Sequence, residues 1–279
     1  MADADREAER GSFVPEVDLS RPSDARTYDL FLGGKNNFEI DRQLHQEILK
    51  IAPETPALAR ENRRWLAEVI DRMVHEGGID QFLDLGAGLP TSENTHELVF
   101  KADPRAVVVY VDKDPTVIAH GQALLADDTR SHFAGGDLAD PAAVLADPVV
   151  RKALELDRPI GLILALALHQ LPDTDEVRDI VAAYVAALPS GSYLAISHPS
   201  NPRDGSRLAG FATAVEDKFR DAFPAMTFRT PDEIAALFEG VELLEPGLVG
   251  LGDWWPEDER QVSPAGAGRL VLAGLARKP

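Results

Sequence analysis

A chain of 279 residues, 44% hydrophobic and 27% charged, can bury the core of one large α/β domain or two small ones. Its net charge of −19, with no basic cluster to offset it, disfavours nucleic acid and anionic membranes as partners and leaves a small molecule as the expected one. Cysteine is absent, which excludes disulfides and thiolate metal sites; no run reaches the length of a membrane span, the first residues are unlike a secretory signal, and a cytoplasmic location is expected.

Residues 1–20 are polar and charged without periodicity, as in a flexible tail. In 21–38, Gly33 and Gly34 cut short a would-be helix and mark a sharp turn. Amphipathic helices are predicted at 41–49 and 56–75, closed by Gly77 and Gly78. Residues 21–78 therefore read as a helical cap or lid ahead of a main domain over 79–279.

From Phe82 onward, strand and helix alternate. Strands are predicted at 82–85, 106–111, 131–134, 160–166, 193–197, 241–244 and 270–276, and helices at 92–101, 115–126, 142–153 and 175–187. Such alternation argues for a mostly parallel sheet covered on both faces. Residues 199–228 read as a substrate-side insertion. Thr230, Pro231 and Glu233 make a strong start for a helix at 232–238. No full helix separates the last two strands, so the final strand is expected to run antiparallel. The expected fold is α/β and Rossmann-like: a seven-stranded, mostly parallel sheet with the last strand antiparallel, helices on both faces and an N-terminal helical extension. That is the sheet plan of the Rossmann-like methyltransferases.

The run FLDLGAGLP at 82–90 joins a strand to a helix through a glycine turn, the nucleotide-binding corner of an α/β sheet. Gly86 and Gly88 let backbone N–H groups approach a ligand without side chains in the way. A dinucleotide site usually has a third glycine, and here that position is Thr91. Asp84, two residues before Gly86, fits the acidic residue of an S-adenosylmethionine motif. Asp112, ending VVVYVD, is placed to accept from ribose hydroxyls and does not choose between adenosine ligands. Asp137, just past the third strand and followed by Leu138, does choose: methyltransferases commonly put an Asp there for the adenine amine, with the next N–H to a ring nitrogen. Asp140 better suits the N-cap of the following helix.

The chain also resembles, over nearly its whole length, the S-adenosyl methyltransferase family first catalogued as a domain of unknown function. The matching stretches are RTYDLFLGGKNNF (26–38), LDLGAGLPT (83–91) with Asn94 and His96, YVDKDP (110–115), LHQLPD (168–173), GSYLAISH (191–198), and Glu245 to Gly247 followed by Trp254. The resemblance implies the fold and an S-adenosyl-L-methionine cofactor, with S-adenosyl-L-homocysteine as product, and no particular substrate.

Methyl transfer from a sulfonium asks the protein mainly to align a nucleophile and exclude water. A hydroxyl or amine acceptor would also need a base, and His169, at the carboxyl end of the fourth strand, is the catalytic candidate. His198 reads equally as a pocket residue or a loop anchor, and His96 as a packing or capping residue. No spacing of His with Asp or Glu suggests a metal.

Tyr28, Gly34, Asn36 and Asn37 form a donor-rich element suited to grip a methionine tail, and Arg63 could pair with its carboxylate. Lys113, beside Asp112, joins the cofactor set. Phe211, Phe219, Phe223 and Met226 would serve an apolar acceptor pocket or simple packing, and Trp254 or Trp255 would cover that pocket. The expected function is S-adenosylmethionine-dependent methyl transfer to an O- or N-nucleophile of a small molecule. A non-catalytic S-adenosylmethionine sensor stays open, and a nicotinamide oxidoreductase lacks its third glycine and a catalytic Tyr–Lys pair.

Overall fold

The computed structural model describes residues 18–90, 93–125, 128–255 and 268–279. The expected tail therefore lies outside the described residues up to position 17, as does Thr91. Among the described residues, no helix is long and apolar enough to cross a membrane.

Three helices open the chain: α1 (Asp24–Phe31), α2 (Glu39–Ile51) and α3 (Thr55–His75). Helix α1 is capped by Ser23, whose hydroxyl accepts from the Arg26 N–H. Gly33 and Gly34 end it for steric reasons. Gly33 has φ of +81°, and a Cβ on Gly34 would collide with the Asp29 carboxylate. The buried Asp41 carboxylate then gathers Arg26 Nε, the Ser23 N–H and the Phe38 N–H at 2.8–3.0 Å, fixing α1 against α2.

The sheet comprises β1 (Gln81–Leu85), β2 (Val107–Asp112), β3 (Ser131–Gly135), β4 (Gly161–Ala165), β5 (Tyr193–Pro199), β6 (Glu242–Leu243), β7 (Val249–Gly250) and β8 (Val271–Arg277). The order is β3-β2-β1-β4-β5-β8-β6, with β7 also on β8. The first five strands are parallel, and β8 pairs antiparallel with β5. There are eight strands, not the expected seven. The edge strand against β8 is split into β6 and β7 by the turn at Pro246 and Gly247, where proline offers no N–H and Gly247 has φ of +90°.

Alternating strand residues feed two cores. Phe82 and Ile163 face α3 (through Trp65, Val69 and Met73), α4 (Thr95–Ala102) and α5 (Pro115–Leu124). Leu83, Leu85, Leu162 and Leu164 face α7 (Pro148–Ala153) and α8 (Thr174–Ala187), beside α6 (Pro141–Ala146). The single helix expected at 142–153 is two, because Pro148 cannot donate to a continuing helix and Asp147 instead caps α7. Asp140 caps α6, as its position suggests. Helix α9 (Arg207–Ala222) and α10 (Pro231–Ala235), opened by the Thr230 capping box, complete the fold.

Candidate active site

The carboxyl ends of β1 to β4, helices α1 and α3, and the segment after α9 enclose one cavity of about 740 Å³. This lies within the range of about 300–1,000 Å³ typical of small-molecule sites.

The glycine turn forms its floor. Gly86 and Gly88 have φ of +73° and +67°, and a Cβ on Gly86 would lie 2.6 Å from the Ala167 Cβ, so the turn after β4 closes against it. The Gly88 position is open. Its N–H donates to Asp112 Oδ2 at 2.9 Å, while Asp112 Oδ1 accepts from the Asp114 N–H at 2.9 Å. Burial pushes the Asp112 carboxyl above its ordinary value, against these backbone donors.

Asp84 is buried at the base of the cavity. Desolvation raises its pKa to about 6, although the Thr95 hydroxyl donates to it at 2.7 Å and Arg63 lies near. Asp137 stands farther out, its oxygens accepting from Lys113 Nζ at 3.1 Å and from the Ala139 N–H at 3.0 Å. Leu138 lines the cavity beside it. Arg63 lines the opposite wall and donates to the Glu93 carbonyl.

The turn after β4 carries His169. Leu166 has φ of +50°, a conformation that costs about 1–3 kcal/mol, and its N–H is held by the Ser197 carbonyl and hydroxyl at 3.0 and 3.1 Å. The Ser197 hydroxyl donates to Asn62, which in turn donates to the Tyr28 hydroxyl at 3.2 Å. Tyr28 donates to the Ala59 carbonyl, and burial raises its pKa. His169 itself is 6% exposed, with Nε2 3.2 Å from Asp24 Oδ2. Burial works to raise the Asp24 carboxyl, but the charge and hydrogen bond of His169, helped by the Gln170 side chain, outweigh it and the net shift is downward. A carboxylate only accepts, so it holds the hydrogen on Nε2; Nδ1 is buried and has no partner.

Arg229 fixes this turn from behind. Fully buried, it donates to the Leu168 and Leu171 carbonyls at 3.2 and 2.6 Å and meets His198 Nε2 at 2.8 Å. His198 Nδ1 faces the Pro199 carbonyl, so it carries the hydrogen and Nε2 accepts from Arg229. Burial first, then Arg229, drives the His198 pKa well down. His198 is thus a loop anchor.

Tyr28, Arg63, Asp84, Gly86, Gly88, Asp112, Lys113, Asp137, Leu138 and His169 are brought together on the cavity wall. Gly34, Asn36 and Asn37 are not. They build the turn after α1, where the Asn36 N–H donates to Asp29 and Asn37 Nδ2 to the Gly34 carbonyl. His96 bonds the Tyr110 hydroxyl through its backbone N–H and Nδ1, in a capping role. Trp254 and Trp255 are buried outside the lining, Trp254 edge-on to Trp65. Phe219, Phe223 and Met226 line the cavity, whereas Phe211 packs behind them. Sequence reasoning missed Asp24, Asn62, Gln170 and Arg229. Asp24 reads simply as an acid in the first turn of a helix, and Arg229 carries no motif.

The sequence profile of the S-adenosyl methyltransferases matches residues 11–279. The chain belongs to the S-adenosyl methyltransferase family. This methyltransferase is 40% identical to a methyltransferase candidate from Thermobifida fusca YX, with a TM-score of 0.86 over 95% of this chain and 97% of that one. It is 34% identical to a DUF574 family protein from Streptomyces avermitilis, with a TM-score of 0.86 over 94% and 99% of the two chains. An O-methyltransferase family 2 protein from Planctomyces limnophilus shares the fold at 15% identity, with a TM-score of 0.50 over 91% of this chain and 65% of that one. No protein with a curated function matches. The enzyme is an S-adenosylmethionine-dependent methyltransferase on a Rossmann-like sheet.

Proposed function

We propose that the cavity binds S-adenosylmethionine along the glycine turn and a small-molecule acceptor beside His169, whose oxygen or nitrogen receives the methyl group. One observation carries the cofactor side: Asp84, Asp112 and Asp137 line the same cavity as Gly86 and Gly88. Three carboxylates suit a ligand with ribose hydroxyls, an adenine amine and a cationic tail. Lys113 pairs with Asp137, and the Arg63 guanidinium, whose charge its bond to a carbonyl does not cancel, faces Asp84 and is available to the carboxylate of that tail.

In this reading Asp112 accepts from the ribose, Asp137 from the adenine amine, and the Leu138 N–H serves a ring nitrogen. Arg63, Tyr28 and Asp84 surround the amino-acid end. The cofactor supplies an electrophilic methyl group and its own leaving group. His169 takes a proton from the acceptor at Nδ1, with Asp24 holding the ring and its tautomer. Helices α1 and α3 cover the site and exclude water. The carboxylate-rich mouth and net charge of −19 favour a small acceptor over nucleic acid.

Calorimetric titration with S-adenosylmethionine, S-adenosylhomocysteine and NAD tests the reading. The first two should bind and NAD should not; tight NAD binding would overturn it.

A further inference from the structure

The cavity has an apolar wall that the cofactor has no use for. Phe31 of α1, Phe219 of α9, and Phe223, Met226 and Phe228 after α9 line it. Phe219 and Phe228 lie with ring centroids 6.4 Å apart, tilted by 45°. This wall is tied directly to the proposed base, because the Thr227 N–H donates to the His169 carbonyl at 2.9 Å. His169 and Gln170 both line the cavity at this junction; His169 Nδ1 is buried without a partner, and the Gln170 side chain leans on Asp24. His169 Nδ1 lacks a donor, and a hydroxyl supplies one.

We infer that the acceptor is a phenol: a flat aromatic body against the Phe31, Phe219, Phe223 and Met226 wall, with its hydroxyl at His169. The inference rests on the methyltransferase reading above and names its substrate class. Aromatic rings and a thioether favour a planar, polarisable body. Acid strength selects the hydroxyl. A phenol has a pKa of about 10, whereas an aliphatic hydroxyl is far less acidic, so a neutral imidazole removes the phenolic proton far more readily.

Charge at His169 disfavours a carboxylate acceptor, since Arg26 is paired with Asp41 and Lys113 with Asp137. Asp24 would repel an acid placed at His169.

In the reaction, the phenolic oxygen bonds to the methyl carbon as the carbon–sulfur bond breaks. That bond's electron pair stays on sulfur, and the phenolic proton passes to His169 Nδ1 and then to water.

The test titrates naphthol, decahydronaphthol and naphthoate into protein saturated with S-adenosylhomocysteine. Naphthol should bind at least tenfold more tightly than either control. Phe223→Ala should weaken it about tenfold, and Phe223→Leu, which keeps the wall filled, about threefold at an unchanged melting temperature. With S-adenosylmethionine, the product should be the naphthyl methyl ether by mass spectrometry. Equal binding of naphthol and decahydronaphthol, or indifference to both Phe223 variants while S-adenosylhomocysteine still binds, would overturn the phenol. Failure of S-adenosylhomocysteine to bind would instead remove the cofactor reading, and the inference with it.

Discussion

His169 Nε2 lies 3.2 Å from Asp24 Oδ2, joining the turn after β4 to the first turn of α1 across 145 residues of sequence. A second bond runs in the same direction, from the Ser23 hydroxyl to Asp114 at 2.9 Å. Together they fasten the N-terminal helix over the carboxyl edge of the sheet. The proposed base is thus oriented by the element that closes the site.

His169→Ala should reduce turnover on the order of 10²–10⁴-fold, the usual worth of a general base, with S-adenosylhomocysteine affinity unchanged. Asp24→Asn keeps a polar atom but loses the charge, so a smaller loss, on the order of tenfold, is expected. Steady-state kinetics beside calorimetry checks both. Wild-type affinity with full turnover in His169→Ala would remove the base.

Asp24 also makes a stability prediction. Its folded pKa lies below the ordinary 3.8, so its contribution is present above that value and is lost as pH falls through the lower folded one. Urea unfolding should therefore separate wild type from Asp24→Asn at about pH 5 and bring the two together at about pH 2.

Asp84 has the opposite sign. With its folded pKa raised to about 6, the protonated form is the stable one, and its contribution is lost as pH rises from 3.8 through about 6. The shift of about two units corresponds to about 3 kcal/mol. A cationic cofactor tail favours the ionised form, so cofactor affinity should rise with pH up to about 6 and level off, with proton release on binding. Calorimetry in buffers of different ionisation enthalpy detects that proton. Asp84→Asn should flatten the profile.

Asp112→Ala and Asp137→Ala should each weaken cofactor binding by about 1–3 kcal/mol, because ribose and adenine donors buried in the complex lose their acceptor. Asp112→Ala should also loosen the glycine turn, because the Gly88 and Asp114 N–H groups lose their acceptor. Amide hydrogen exchange at Gly88 reports this directly.

Arg229→Leu should destabilise the fold by about 3 kcal/mol or more, since two buried carbonyls and His198 Nε2 lose their donor. Denaturant unfolding gives the magnitude.

The sheet was legible because its signal is local. Apolar runs such as 82–85 and 107–111 alternate with capped helices, and the GAG turn with Asp84 and Asp112 follows from strand ends alone. The splitting of the edge strand and of the helix at 142–153 was written in Pro246 and Pro148, each of which removes an N–H. The active-site partners were not legible in the same way. Asp24 meets His169, and Arg229 meets Leu168, only after the chain folds back over long separations, with no periodicity to announce the pairing. Gly34, Asn36 and Asn37 lie off the cavity wall, in a turn whose amides serve its own helix end; a turn rich in amides looks the same in sequence either way.

The central claim is that the three carboxylates along the sheet edge hold an adenosine, and a crystal structure with S-adenosylhomocysteine tests it most directly. The account predicts ribose hydroxyls on Asp112, the adenine amine on Asp137, and the sulfur facing His169. Adenosine bound elsewhere, or a ribose that leaves the Gly88–Asp112 bond untouched and Asp112 without a ligand contact, would contradict it.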